Sequence, residues 1–295
     1  MDRFDEMRIF QRVVDMRSFR KAAQALGIPD STASDAVKRA ERRLRVRLLD
    51  RTTRVVTPTL DGEAWYRRCL RIVAEVEDAE ASFGGGVPAG RLRVDVHGTL
   101  ARAFLLPRLP AFLETHPGID LVLSEGDRLV DLIREGVDCV VRVGELADSD
   151  LIARPLGALA EITVASPEYL ERHGTPRSPD DLSGHRMVGY LSSRTGGPLP
   201  LYFSRGGREI ERQLPYSLTV TGADTMVSAA RLGLGLIQVP RYRLAEDLAA
   251  GRLVEVLAET PPAPSPISAL YPRDRQLSPR VRVFLDWLAG IDFSS

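Results

Sequence analysis

The chain has 295 residues, is 44% hydrophobic, and carries 40 basic against 40 acidic side chains for a formal net charge of zero. That length and apolar content support a substantial core and two or more domains, which excludes a disordered or fibrous chain. No N-terminal stretch joins a basic start to an apolar run and a small-residue cleavage site, and no apolar run approaches the roughly 20 residues that span a bilayer. The cytoplasm is the expected compartment, with no membrane partner.

Cys69 and Cys139 are the only cysteines, far apart and without metal-ligand spacing. Two buried, reduced thiols are expected, with neither a disulfide framework nor a zinc site. The neutral total hides an asymmetry: residues 1–60 hold 14 Lys/Arg and 8 Asp/Glu, net +6, and the remainder is net −6. The excess peaks in SDAVKRAERRLRVRLLDRTTR (34–54), where eight cations face three acids. A basic module that meets a polyanion, joined to a larger part with another task, is the reading this split supports.

In chain order, Phe4, Met7, Phe10 and Val14 recur at steps of three and four and mark one apolar helical face. Ser18 is placed as the N-cap of SFRKAAQALG, and Gly27 as its stop. A third helix is expected from Ser31, with Ala33, Val37, Ala40 and Leu44 inward and Ser31, Asp35, Lys38, Arg39 and Arg42 outward. Two helices joined by the short 27–30 turn, the second with a polar and basic outer face, form a helix-turn-helix. VRLLDRTTRVVTPT then has the residues of a two-stranded wing around a basic centre.

From Asp61 to Phe83 one long helix is expected. Gly62, Trp65, Cys69, Ile72, Val76, Ala79 and Phe83 form a heptad seam; a helix packed on its own domain would also show one, but so regular a seam favours pairing with a second copy of the chain. GGGVPAG (84–90) reads as a linker. Beyond it LRVDV, FLLPRLPAFLETH, IDLVLS, LVDLIREG and VDCVVRVG alternate strand-like and helical patterns, which implies a parallel sheet flanked by helices. A second α/β unit starts near EITVASPEYLERHG, and the chain ends in a strand and a helix with Val281, Phe284, Leu285 and Leu288 on its apolar side.

DNA binding needs cations that grip phosphates and a few side chains that reach base edges. Ser31, Thr32, Ser34 and Asp35 are placed to enter a major groove; Lys38, Arg39 and Arg42 are placed for the backbone; Arg51, Thr52 and Arg54 in the wing suit a flanking phosphate or minor groove. Asp35 has two readings, acceptance of a hydrogen bond from cytosine or an i,i+4 ion pair with Arg39. In the larger part, no HExxH, GxSxG or Walker motif is present, and Gly233-Leu-Gly235 lacks the third glycine of a dinucleotide fingerprint. Small ligands of open α/β sheets sit at the carboxyl ends of strands. Thr99 in HGTL, a candidate cap with a free hydroxyl, and Ser124, Arg142 and Thr225 occupy such places; Arg142 has both a carboxylate-binding and a structural salt-bridge reading.

These segments in this order, SFRKAAQALGIPDSTASDAVKRAERRL, RLLDRTTRVVTPTLDGE, RLRVDVHG, VASPEYLERHGTPRSPDDLSGH and GLGLIQVP, resemble the LysR-type transcriptional regulators over essentially the full length. The resemblance implies an α/β fold with an N-terminal all-α winged helix-turn-helix, and an effector domain of two α/β subdomains similar to periplasmic binding proteins. The expected division is 1–60 for the DNA-binding domain, 61–83 for a dimerising linker helix, 84–90 for a hinge, and 91–295 for the effector domain. Within the last, subdomain 1 covers about 91–162 and 267–295, and subdomain 2 about 163–266. The resemblance also implies no cofactor, a small-molecule effector in the cleft with Thr99 and Leu100 as cleft residues, double-stranded DNA as partner, assembly as a homodimer or homotetramer, and contact with RNA polymerase. Three positions depart from the pattern: Asp35, Ala40 for a usual Leu, and Arg45 for a usual Gly. An α/β enzyme with a fused nucleic-acid-binding head, and a DNA-binding protein without an effector, are the competing readings.

Overall fold

The computed structural model describes residues 1–51, 56–83, 87–125, 136–144, 151–192, 196–273 and 277–293, with the backbone alone at Arg51, Asp78 and 80–83. Helix α1 (Arg3–Met16) opens on a capping box between Asp2 and Asp5. Helix α2 (Phe19–Leu26) is capped by Ser18, whose hydroxyl accepts from the Lys21 amide at 3.3 Å, and stops at Gly27 with φ +66°. Helix α3 (Asp30–Leu44) starts one residue before the expected Ser31, straight after Pro29. Its Ala33, Ala36, Val37 and Ala40 are buried against Phe10, Val13, Ala22 and Ala23, while Leu44 is only partly covered. On α1 the buried stripe is centred on Ile9, Phe10 and Val13, with Met7 and Val14 at its margin.

Glu6, also on the inner side of α1, is 7% exposed and accepts from Arg39 Nε at 2.9 Å and Arg43 Nη1 at 2.5 Å. Burial pushes the Glu6 carboxyl up, but the hydrogen bonds and charges of Arg43 and Arg39 together outweigh it and hold the group below its ordinary value. Two of the eight cations in the basic stretch therefore strap α3 to α1.

Strands β1 (Leu49–Arg51) and β2 (Val56–Pro58) pair antiparallel, with Leu49 opposite Pro58, and form the base of the wing. Thr52 and Arg54 lie outside the described residues. Helix α4 (Leu60–Phe83) passes so close to the head that a Cβ on Gly62 would stand 1.9 Å from the Leu48 carbonyl oxygen, which explains glycine there. The heptad seam splits along α4. Cys69 is fully buried in the head's own core, with Trp65 packed against it, so these two are corrected from partner contacts to intramolecular ones. Ile72, Val76 and Ala79 are exposed, and the Phe83 side chain lies outside the described residues.

The body begins with a five-stranded sheet in the order β4-β3-β5-β15-β6, formed by β3 (Gly90–Val96), β4 (Ile119–Glu125), β5 (Cys139–Val143), β6 (Leu151–Leu159) and β15 (Ser265–Pro272). Strand β3 is parallel to β4 and β5, but β15 runs antiparallel to β5 and β6, so the sheet is mixed where a parallel one is expected from the alternation. Leu92, Val94 and Val96 of β3 and Val281, Phe284, Leu285 and Leu288 of the helix Pro279–Ala289 share one core. The helix expected at LVDLIREG overlaps residues 126–135, outside the described residues.

Between Leu159 and Glu161 the chain changes sheets. Strand β7 (Glu161–Ala165) is the centre of a three-stranded antiparallel sheet with β13 (Ile237–Pro240) and β14 (Val254–Val256). The second lobe adds a sheet of β12 (Thr219–Val220), β8 (Gly189–Leu191) and β9 (Pro198–Leu199), and a hairpin of β10 (Leu201–Arg205) and β11 (Arg208–Arg212). The chain returns through β15 to the first lobe. Cys69 and Cys139 are both buried free thiols that burial pushes up to about 12, which makes them poor nucleophiles.

Arg45 ends α3 with φ +58°, a conformation that costs a side-chain-bearing residue roughly 1–2 kcal/mol relative to glycine. Arg45→Gly should therefore stabilise the protein by about 1 kcal/mol in urea unfolding. The lowered Glu6 carboxyl makes a second prediction. Its contribution is complete above pH 4.5, the unfolded value, and is lost as pH falls through the lower folded value. Glu6→Gln should flatten the acid limb of the stability–pH curve relative to wild type.

Candidate functional site

The DNA-facing candidates divide by what their side chains already hold. Ser31, Asp35, Lys38 and Arg42 are exposed on α3, and Thr32 and Ser34 are half-buried near its start. Arg39 is corrected: its Nε donates to Glu6 and its Nη2 is buried, so this edge of the guanidinium is committed to α1 rather than to a phosphate. The i,i+4 pair between Asp35 and Arg39 is absent for the same reason. Asp35 instead lies 3.8 Å from Lys38 Nζ, an exposed i,i+3 pair worth little in water. Arg42 lies on the same outer side, its Nε donating to the Lys38 carbonyl at 3.4 Å.

The effector candidates separate in the same way. Leu100 is fully buried in the first lobe's core and is corrected from a cleft residue to a core residue. Arg142 is corrected from a ligand-binding to a structural cation: its Nη2 donates to Asp95 Oδ1 at 2.6 Å, and the side chain is 16% exposed. Ser124 donates to the other oxygen of Asp95 at 2.8 Å. Thr225 is exposed in the first turn of the helix Ala223–Arg231.

Thr99 lies where the two lobes meet. The N-cap of the turn Gly98–Leu100 is His97, not Thr99; the His97 Nδ1 accepts from the Thr99 amide at 3.3 Å and from Arg243 Nη1 at 3.3 Å. Both donors are obligate, so Nδ1 is the unprotonated nitrogen. The Thr99 hydroxyl lies 2.8 Å from the same atom, accepts from Arg243 Nη1 and stands 3.2 Å from Tyr242 Oη. Arg243 and Tyr242 belong to the short turn Arg241–Leu244 of the second lobe. Arg243 Nη2 continues to Asp224 Oδ1 at 3.0 Å, and Asp224 Oδ2 lies 3.9 Å from Arg102 of the first lobe, which also meets Glu125 at 3.3 Å.

Arg243, Asp224, His97, Tyr242 and Arg102 escape the sequence reading. A signal existed for Arg243: IQVP ends a strand, and RYR follows at its carboxyl end, the place where ligands of such sheets gather. At the base of the same junction, Glu161 of β7 takes a hydrogen bond from Ser265 of β15, the two strands at which the chain crosses between lobes. Burial pushes the Glu161 carboxyl up to about 7, against the pull of Ser265 and Arg243. A cavity of about 190 Å³ lies elsewhere, between α1, α4 and the body, with Arg8, Gln11, Asp15, Arg71, Arg91 and Asp138 on its walls.

A winged helix-turn-helix on a long helix, followed by a two-lobed body with polar side chains meeting across its lobes, defines a DNA-binding transcriptional regulator with a ligand-binding domain. Residues 4–63 match the family model of the bacterial regulatory helix-turn-helix protein, lysR family, and residues 85–290 match that of the LysR substrate binding domain. The chain belongs to the LysR-type transcriptional regulators. It is similar to the uncharacterised HTH-type transcriptional regulator YhjC of Escherichia coli (39% identical, covering 99% of this chain and 98% of YhjC) and to an HTH-type transcriptional repressor of Pseudomonas aeruginosa (38%, covering 98% and 92%). Among solved structures it is similar to the full-length virulence activator AphB of Vibrio cholerae (TM-score 0.59, 28% identical, covering 98% and 99%). These are regulators and not enzymes, which removes the enzyme reading.

The raised Glu161 carboxyl predicts a pH effect. The folded protein binds this proton more tightly than the unfolded chain, so the group costs stability as pH rises from 4.5 to about 7. Glu161→Gln should gain up to roughly 3 kcal/mol on wild type between pH 4.5 and pH 8 in urea unfolding.

Proposed function

We propose that the protein is a homo-oligomeric regulator that reads duplex DNA with the exposed start of α3 and changes its grip when a small molecule occupies the cleft between the two lobes. The observation that carries this reading is the division of α3: its small residues are buried while Ser31, Asp35, Lys38 and Arg42 stand clear of the core. Ser31, Thr32, Ser34 and Asp35 supply the base-edge contacts; Lys38 and Arg42, with Arg51, Thr52 and Arg54 of the wing, supply the phosphate contacts. Ile72, Val76 and Ala79 leave a narrow apolar strip on α4, which suits pairing with the same helix of a second chain, and two such dimers would give a tetramer. The effector contacts the group around Thr99, Tyr242 and Arg243, with Thr225 and Ser124 at the margin. RNA polymerase is the partner through which a change in DNA geometry reaches transcription. Among the described residues no helix is long and apolar enough to cross a membrane.

Binding to an operator selected from genomic fragments tests the DNA face. Arg42→Ala should weaken binding about uniformly across sequences and lower the salt slope of the affinity by about one unit; Arg39→Ala should instead act mainly through stability. An Arg42→Ala protein with unchanged affinity and slope removes Arg42 from the interface. Ile72→Arg should shift the assembly toward smaller species in sedimentation, and an unchanged sedimentation profile would take the strip out of the interface.

A further inference from the structure

Arg243 is a buried cation whose charge the described residues answer only in part. Its side chain is 6% exposed, and its Nε is buried without a hydrogen-bond partner. Two of its contacts, to Thr99 Oγ1 and His97 Nδ1, are with neutral acceptors on the first lobe. The carboxylate it holds is Asp224, whose side chain is 67% exposed at the rim. Glu161 is a second carboxyl within electrostatic reach of Arg243, and burial raises it to about 7, so near neutrality it carries only part of a charge. A buried cation with a missing hydrogen bond and a solvent-swept counter-ion costs free energy relative to one that is fully paired.

The geometry of the shortfall has a shape. Nε and Nη2 form one edge of a guanidinium, and a carboxylate that meets this edge side-on accepts from both. Asp224 uses Nη2 alone, at 3.0 Å, and leaves Nε unmatched. The second oxygen of Asp224 points toward Arg102, 3.9 Å away on the other lobe. A side chain tethered to its own backbone thus fills half of a two-oxygen site. Because it is exposed, its replacement by another anion sacrifices little.

We infer that the cleft takes a small carboxylate-bearing effector whose two oxygens seat on the Nε/Nη2 edge of Arg243, displacing Asp224, which acts as a built-in stand-in for the ligand. This rests on the reading of the cleft as the effector site and gives that site its chemistry. Thr99 and Tyr242 then serve the remainder of the ligand as hydroxyl partners, and Arg102, released from Asp224, remains paired with Glu125. Displacement breaks the Asp224 bridge between Arg243 and Arg102, so the anion changes the contacts between lobes as well as filling a gap.

Acetate is the probe. Full-length wild type, Asp224→Ala and the double variant Asp224→Ala/Arg243→Met are melted in increasing sodium acetate, with ionic strength held constant by sodium chloride; Asp224→Asn replaces the alanine variant should that fail to fold. Asp224→Ala should melt lower than wild type in chloride alone and recover with acetate, its midpoint response coming at roughly tenfold less acetate than in wild type, because the tethered competitor is gone. The double variant should not respond. Superimposable acetate curves for wild type and Asp224→Ala, or rescue that persists without Arg243, would overturn the inference. Acetamide, uncharged and of the same shape, separates it from the wider reading. An acetamide response equal to that of acetate and lost in Thr99→Val keeps the cleft as a ligand site and overturns its anionic chemistry. Acetate rescue that depends on Arg243 but leaves DNA affinity unmoved supports the anion site and overturns its regulatory role.

Discussion

Arg91, the second residue of β3, donates to Asp15 of α1, and the same carboxylate accepts from the Tyr66 hydroxyl on α4. Arg91 Nε also donates to Asp120 of β4 at 2.9 Å. One guanidinium thus ties the DNA-binding head, the long helix and the first sheet of the body together. Its strand runs from this junction to His97, whose ring holds Thr99 and Arg243 in the cleft. A strand paired on both sides, parallel to β4 and β5, is a stiff element, and it spans the two places that have to be coupled in a ligand-responsive regulator. Coupling in such a protein amounts to differential contact: an effector shifts only the state it binds better, and DNA must shift effector affinity by the same factor in return. Contacts that bridge lobes at one end of β3 and bridge domains at the other are where two such states can differ.

The charge of the head explains why its DNA-facing surface is narrower than its composition suggests. Arg39 and Arg43 are committed to Glu6, and Glu41 is turned inward, accepting from the Leu48 and Leu49 amides at 2.9 and 3.3 Å, where it fixes the approach to the wing. The internal pairs consume charge to hold three short helices in register. What remains outward on α3 is Lys38 and Arg42, beside the small polar residues at the helix start. On the proposed DNA-facing reading, phosphate contacts from this helix would rest on few cations, and sequence discrimination on short side chains that require close approach to the groove. The alanines of the inner face, Ala33, Ala36 and Ala40, pack against Phe10 and Val13 of α1 and Ala22 and Ala23 of α2, which fixes α3 on the head and leaves its opposite face outward.

Much of this is legible in the amino-acid order. Ser18 and Gly27 delimit α2 by their capping chemistry, the inward stripe of α3 follows from 3.6-residue periodicity, and the terminal strand and helix are placed on their core by Val281, Phe284, Leu285 and Leu288. The misreadings share a cause. Periodicity shows that one side of α4 is apolar but not what covers it, so the seam groups Cys69, buried in the head's core, and Trp65, half-buried against it, with the exposed Ile72 and Val76. Leu100 beside Thr99 shows the reverse: adjacent residues on a helical turn face opposite ways, one into the core and one into the cleft. Arg142 with Asp95, Arg39 with Glu6 and Arg243 with Thr99 join residues 33 to 144 positions apart, and no local pattern reveals such pairs. The antiparallel course of β15 depends on where the chain re-enters the first lobe, which strand propensity does not encode.

Other non-local pairs bring polar and charged side chains together at the crossing between lobes. Strand β6 ends at Leu159 and β7 begins at Glu161, while Ser265 opens β15 opposite Leu159; the Glu161–Ser265 hydrogen bond therefore joins the two crossing segments to each other. A carboxyl buried there is electrostatically linked to Arg243 above it. Each group is incompletely neutralised when the cleft is held by Asp224 alone. An anion seated on Arg243 would answer that cation more fully and reduce its pull on the Glu161 charge, so ligand occupancy and proton occupancy at the crossing are tied by reciprocal linkage.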